Sequence, residues 1–367
     1  MKRILVTGAT GYIGSRLVPH LLAEKRRVRV LTRSASKVAD RSWHAEVEIL
    51  EGDLGRRADL ARALEGIEVA YYLAHSMDGK PGFVERDREM ARLFGLAAYS
   101  AGVDRIVYLS GLHPPGVPLS DHLASRVEVG DILMASGVPT AVLQAAVIIG
   151  SGSASFEMLR HLTRRLPVML APKWLDNRIQ PIAVRDVLGY LSGIGTVPQP
   201  QNRTFDIGGP DVLTYREMIH RFADLSGLGR RTVVTVPVLT PALASHWVGL
   251  VTPVPTGIAK PLVGSLVHEV ICHEADIREL VSGILQDEGY GAQAAADSEQ
   301  ALAAIRARAP SLMVLDIWMQ GGGLDGLELL DLEVAVAPQM LRSKGCIPAR
   351  DQTRSAAWLV ARSHWDH

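Results

Sequence analysis

The sequence predicts an α/β chain built on a doubly wound parallel sheet, and three observations carry this. Apolar runs of strand length alternate with stretches of helical period from Lys2 to Pro210. The first run leads directly into a glycine-rich turn and a helix. Successive runs end on small or polar residues, at Gly8, Arg33, Asp53, His75 and Ser110. Alternation of this kind yields parallel strands flanked by helices on both faces, and ligands bind beyond the carboxyl ends of such strands.

The opening element is Lys2-Arg3-Ile4-Leu5-Val6, followed by Thr7-Gly8-Ala9-Thr10-Gly11-Tyr12-Ile13-Gly14 and the helical stretch Ser15–Leu22. Strand, glycine turn and helix together form the context of a phosphate-binding turn. Gly8 permits the tight turn, Gly11 lets a pyrophosphate approach the backbone, and Gly14 lets the helix pack close to the strand. The free amides of Thr10, Gly11, Tyr12, Ile13 and Gly14 then face the anion, so the turn reads as a dinucleotide site. The second strand, Val28–Arg33, ends at Thr32-Arg33-Ser34 with Lys37 close by. An NAD enzyme carries an acid there for the ribose 2′-hydroxyl; cations and hydroxyls suit a 2′-phosphate. NADP(H) is therefore the expected cofactor, with NAD the alternative and a merely solvated Arg33 the bland reading.

The third strand, Val47–Leu54, ends in Asp53-Leu54; Asp53 either accepts the adenine amino group or caps the next helix. The fourth, Val69–His75, offers a small Ala74 that leaves room for a ribose, and then His75. Helical spacing runs from Phe83 to Ala101, Arg105–Gly111 is the fifth strand, and Val138–Ile149 reads as a sixth.

The 367 residues carry 39 basic and 39 acidic side chains, so charge balance favours neither a nucleic acid nor an acidic membrane as partner. Cys272 and Cys346 lie far apart without metal or redox spacing, which suits a reducing, cytoplasmic setting and gives no metal site. The N-terminal apolar run is too short for a signal peptide. Val233–Ala259 lacks charged residues before Lys260, but Pro237, Pro241, Pro253 and Pro255 interrupt it, so a buried or interfacial segment is expected rather than a membrane span.

Residues 1 to about 270 resemble the short-chain dehydrogenase/reductase superfamily, on the atypical NAD(P)-binding side with isoflavone-reductase-like and nitrogen-repressor-like proteins. The residues that carry this are Thr7–Gly14, Gly52-Asp53-Leu54, Tyr108-Leu109-Ser110-Gly111 and Arg178–Val187, followed by Phe205–Pro210 before a helix near Thr214. The resemblance implies a Rossmann sheet with a small substrate-side portion. It also implies a Tyr-x-x-x-Lys pair after the fifth strand, but here the stretch is Ser120-Asp121-His122-Leu123-Ala124-Ser125-Arg126. His122 and Arg126 share one helix face at i, i+4 spacing. His122 reads either as a proton donor titrating near neutrality or as a helix-face or cap residue. Arg126 would hold ribose or phosphate, although arginine is no conservative substitute for lysine. Ser110 would orient a substrate carbonyl.

From Val270 to Asp331 the chain resembles the first half of a response-regulator receiver, on Glu274–Val281, Asp287-Glu288-Gly289-Tyr290, Ala296–Leu302 and Leu312–Met319. Asp316 stands where receivers carry the phosphoacceptor. Cys272 and His273, however, occupy the acidic pair that would bind Mg²⁺, so Asp316 is expected to be a strand-end acid in an incomplete receiver-like segment. The expected organisation is 1–269, 270–331 and a poorly ordered tail at 332–367.

Three functions follow as expectations. The first is an NADP(H)-dependent oxidoreductase or epimerase-like enzyme acting on a small carbonyl or hydroxyl compound, with Trp174, Met158 and Leu159 as pocket lining. The second is a non-catalytic NAD(P)H sensor; the third is signalling through Asp316. The resemblance implies a homodimer through the helices near 83–101 and 120–136.

Overall fold

Seven parallel strands line up in the order β11-β6-β5-β4-β1-β2-β3. The computed structural model describes residues 3–75, 82–236, 252, 267–274, 277, 303, 312–313 and 359–360. In chain order the first half runs β1 (Arg3–Thr7), α1 (Gly14–Ala23), β2 (Arg27–Thr32), β3 (Glu48–Glu51), α2 (Arg57–Leu64), β4 (Val69–Tyr72), α3 (Phe83–Ser100), β5 (Arg105–Gly111), α4 (Asp121–Met134) and β6 (Thr140–Ala145). The second half runs β7 (Ile148–Ile149), α5 (Ala154–Arg165), β8 (Val168–Ala171), β9 (Arg178–Ile179), β10 (Ile182–Ala183), α6 (Val184–Ile194), β11 (Arg203–Ile207), β12 (Leu213–Thr214), α7 (Tyr215–Leu225) and β13 (Thr232–Thr235). The doubly wound sheet is the fold the alternation predicts. Its order reverses at β1, which has β2 on one side and β4 on the other.

Alternate side chains of the buried strands feed two cores. One face packs Val6, Val30, Tyr71, Val107 and Leu143 against Leu17 of α1 and Leu191 of α6. The other packs Leu5, Leu31, Tyr72, Tyr108 and Val142 against Leu60 of α2, Phe94 of α3 and Leu133 of α4. Charged residues inside these strands have a structural task. Buried Arg29 donates to the carbonyls of Arg62, Ala63 and Glu65, and so caps the end of α2. Buried Arg105 does the same for Ile194 and Val197 after α6. Helix ends leave carbonyls unpaired, and these guanidinium groups satisfy them.

The sixth strand is shorter than its apolar run suggests. After Ala145 the chain leaves the main sheet, and Ile148–Ile149 pairs with β10 instead. This begins a smaller lobe whose core holds Leu112, Val147, Leu159, Met169, Ile179, Tyr215, Ile219 and Val270. Helix α7 in this lobe opens on a capping box between Thr214 and Glu217.

The chain divides into two compact units, Met1–Glu288 and Gly289–His367. The sequence places a boundary at 269/270, yet Val270 bridges Ile179 and exchanges hydrogen bonds with Arg178 and Gln180. Further on, the Cys272 amide donates to the Gln180 side chain, and the His273 amide to Asp206 at 2.8 Å. Residues resembling a receiver's first strand thus finish the edge of the first unit. Within the second unit, β14 (Leu312–Met313) pairs antiparallel with β15 (Leu359–Val360). β15 falls in the stretch where the sequence offers no periodicity; two apolar residues suffice for the pairing. Asp316 and most of Val233–Ala259 lie outside the described residues.

Candidate functional site

The glycine turn sits at the carboxyl end of β1, at the reversal point of the sheet. Gly8 has φ +70°, and a Cβ there would meet the Leu73 carbonyl oxygen at 2.5 Å. A Cβ on Gly14 would collide with the Gly8 carbonyl, so α1 can begin against the turn only with glycine at that position. The Gly11 amide closes the turn on the Gly8 carbonyl at 2.9 Å, and Ser15 and Leu17 donate into the starting helix. Among the described residues, the amides of Tyr12, Ile13 and Gly14 donate to no backbone carbonyl outside the regular elements. Thr10 and Gly11 are exposed. Three free donors at the start of a ten-residue helix fit a diphosphate.

Tyr12 is fixed from both sides. The Arg16 guanidinium lies 4.0 Å from its ring centroid and bonds the carbonyls of Tyr12 and Ser151. The Tyr12 hydroxyl is buried without a partner among the described residues, and burial raises its pKa. Thr7 Oγ1 donates to the Tyr71 carbonyl and accepts from the Leu73 amide, tying the ends of β1 and β4 together. Ala74 and His75 follow immediately.

At the end of β2, Arg33 is exposed and Ser34 half-buried. Ser34 Oγ lies 2.7 Å from Ser36 Oγ, and Thr32 Oγ1 donates to the Ser34 carbonyl. The Glu51 carboxylate accepts from the Ala35 amide beside them. At the end of β3, the Asp53 carboxylate accepts from the Gly55 amide at 2.8 Å. It closes a turn there and does not cap α2, which starts at Arg57 with Arg56 as its N-cap. Leu54 packs partly against the core on the α2 side.

His122 and Arg126 stand one helical turn apart at the start of α4, and Arg126 reaches back to Leu109 at the end of β5, the residue before Ser110. Ser120 is the N-cap of α4, so His122 is a face residue rather than a cap. Arg126 donates to the Leu109 carbonyl, its guanidinium 5.8 Å from the centroid of Tyr108. Tyr108 donates its hydroxyl to the Arg126 carbonyl. Ser110 is 3 % exposed, and its hydroxyl, next to Tyr108, has no hydrogen-bond partner of good geometry among the described residues. The rings of His75 and His122 lie 6.3 Å apart, centroid to centroid. Burial, and then the Arg126 charge, lower His122 to about 4. His75 moves the same way by desolvation, then Arg126, then His122, although the residue keeps an exposed surface. Both rings are therefore neutral at pH 7. This departs from an imidazole titrating near neutrality: a neutral ring can donate or accept a hydrogen bond but holds no spare proton.

Met158 and Leu159 are buried, Leu159 in the core of the smaller lobe, while Trp174 is half-buried with an unpartnered indole N–H. A cavity of about 270 Å³ is lined by His113, Asp131, Gln144 and Asp206 among others, and by neither Ser110, His122 nor Arg126. No cluster of metal-ligating side chains occurs among the described residues. Nor is any helix there long and apolar enough to cross a membrane. Sequence reasoning missed Trp43, which is buried and whose indole N–H donates to the Ser15 carbonyl of α1 at 3.3 Å. It stands in a loop with no periodic signal.

Residues 8–146 match the family described as NAD(P)H-binding, and residues 270–339 match the response regulator receiver domain. Ceramide reductase of Caulobacter vibrioides is 29% identical over 265 residues, covering 70% of this chain and 82% of that protein. The nitrogen assimilation regulatory protein NtrX of Azorhizobium caulinodans is 55% identical over 69 residues, and this chain spans only 15% of its length. Among solved structures, the NADP(H) complex of Citrobacter sp. triphenylmethane reductase superposes with TM-score 0.60 at 19% identity, over 76% of this chain and 94% of that one. The chain thus carries an N-terminal NAD(P)H-binding domain with a reductase-like fold and receiver-related sequence behind it.

Proposed function

We propose that this protein is an NADP(H)-dependent reductase that acts on a small carbonyl or hydroxyl compound at the strand-end rim near Ser110, His122 and Arg126. The observation that carries the proposal is the buried Ser110 hydroxyl, next to Tyr108 and without a hydrogen-bond partner of good geometry among the described residues, on the same strand-end rim as the free amides of the glycine turn. Similarity to a reductase over most of the chain supports it.

When bound, a reduced nicotinamide would supply hydride to the substrate carbon. The amides of Tyr12, Ile13 and Gly14 would hold its diphosphate, with the Tyr12 hydroxyl alongside. Arg33 and the paired Ser34 and Ser36 hydroxyls offer the charge and donors that a 2′-phosphate needs. Ala74 and His75 would line the ribose side, and Asp53 and Leu54 the adenine side. The Ser110 hydroxyl donates to the substrate oxygen and orients it. Arg126, held by the Leu109 carbonyl, places a fixed positive charge where negative charge grows on that oxygen. Neutral His122 supplies a further N–H donor, and the final proton comes from solvent.

A second reading, an NAD(P)H sensor without turnover, is favoured by one observation: His122, lowered to about 4 by burial and then by the Arg126 charge, has no spare proton to give at pH 7. NADPH oxidation measured against a panel of aldehydes, ketones and quinones separates the two. Turnover that Ser110→Ala abolishes supports the enzyme; saturable binding without oxidation supports the sensor. The Leu96 and Tyr99 side chains, 58% and 63% exposed on α3, are the surface through which a second copy would pack.

A further inference from the structure

We propose that the β8–β13 face of the smaller lobe is a contact surface for anionic phospholipid membranes. β8 and β13 pair in parallel, with Val168 opposite Thr232 and Leu170 opposite Val234. Laterally paired residues share a face, so Val168, Leu170, Thr232 and Val234 lie together. The inner face is buried: Met169 and Ala171 are 3% and 4% exposed, and Val233 packs in the lobe core. On the outer face Val168, Leu170 and Val234 are 57%, 58% and 45% exposed. Aliphatic side chains on an outward strand face are the reverse of the usual alternation, in which that face is polar. Grouped exposed apolar residues mark an interaction surface.

Charge identifies the partner. Both strands start at the same end because they run parallel, and arginines precede each start. Arg164 lies in the last turn of α5 ahead of β8, while Arg230 and Arg231 lead into β13. Arg164 and Arg230 are exposed. Arg231 donates to the carbonyls of Thr163 and Gly229 and, among the described residues, to no carboxylate. Asp176, the acid nearest the other end of β8 in sequence, is already paired with Arg216 at 2.6 Å. The chain-wide balance of charge thus conceals a local positive edge beside an aliphatic face. That combination suits an interface where acyl chains meet anionic headgroups. A second copy of the same positive surface would repel itself at close range.

The test is co-sedimentation of the full chain with vesicles of phosphatidylcholine alone and of phosphatidylcholine mixed with phosphatidylglycerol. Binding to the mixed vesicles, absent with phosphatidylcholine alone and weakened by added salt, is expected. Leu170→Glu, and separately the pair Arg164→Glu and Arg230→Glu, should each lower partition about tenfold or more. NADPH titration of the same variants checks that they fold, since none of these residues lies in the nucleotide crevice. No sedimentation with either vesicle, or equal partition of wild type and variants, overturns the proposal. So does a loss of dimer in Leu170→Glu by light scattering, which would assign the face to a second copy. The proposal is independent of turnover, so failure of the reductase reading leaves it standing.

Discussion

The rings of His75 and His122, with centroids 6.3 Å apart, join the end of β4 to the first turn of α4. Arg126 lies one helical turn beyond His122, and its charge acts on both imidazoles. This grouping fixes the protonation of the proposed site, and the first two predictions come from it.

His122 holds its proton only below about 4 in the folded chain, against an ordinary value of 6.5. Above 6.5 neither state is charged. As pH falls from 6.5 towards 4 only the unfolded chain takes up the proton, so stability present above 6.5 is lost across that window. The shift sets a ceiling of about 3 kcal/mol, reduced by the solvent access of the side chain. His122→Gln should therefore flatten the loss of stability between pH 7 and pH 5 by about 1–2 kcal/mol, measured by urea denaturation. Parallel pH profiles for wild type and variant would contradict the assignment.

Removing the Arg126 charge should raise the His122 pKa, because that charge is the second cause of its depression. NMR titration of Arg126→Gln tests this directly. The value should rise yet stay below 6.5, since burial persists; no movement would mean that the two groups are uncoupled.

Ser110→Ala should lower kcat/KM about tenfold to a hundredfold while NADPH affinity stays unchanged. The buried hydroxyl has no hydrogen-bond partner of good geometry among the described residues, so the variant should fold about as well as wild type. Steady-state kinetics with a turned-over carbonyl compound, beside a thermal melt, gives both readouts. Equal kcat/KM in both proteins would remove Ser110 from the site.

Arg33→Glu should weaken NADPH about tenfold or more and leave NADH nearly untouched. The Glu51 carboxylate already occupies the Ala35 amide, so the exposed guanidinium carries more of the 2′-phosphate recognition. Isothermal titration with both nucleotides reads this, and equal losses for the two would refute the role.

The glycine turn and the doubly wound parallel sheet were legible because each depends on local pattern. Glycine spacing, apolar period and an i, i+4 relation survive translation into structure. What escaped depends on tertiary context. Arg29 and Arg105 look like polar interruptions of strands until the helix ends they cap are in place. Asp53 has the composition of a cap, but the chain runs on to Arg57 before α2 starts, so its carboxylate turns onto Gly55. Val270–His273 opens the stretch that matches a receiver domain, and its hydrogen bonds to Arg178 and Gln180 join residues so far apart in the chain that local pattern does not show them. The depressed pKa of His122 had no sequence signal, since its burial and the Arg126 charge are both products of packing.

The central claim is that the amides opening α1 bind a dinucleotide diphosphate. Direct titration of the full chain with NADPH, followed by the change in nicotinamide fluorescence, tests it most plainly, with Gly11→Asp as the control. Saturable binding that Gly11→Asp abolishes, with its circular dichroism spectrum intact, is the expected result. No saturable signal for NADPH, or the same isotherm in Gly11→Asp, would contradict the claim.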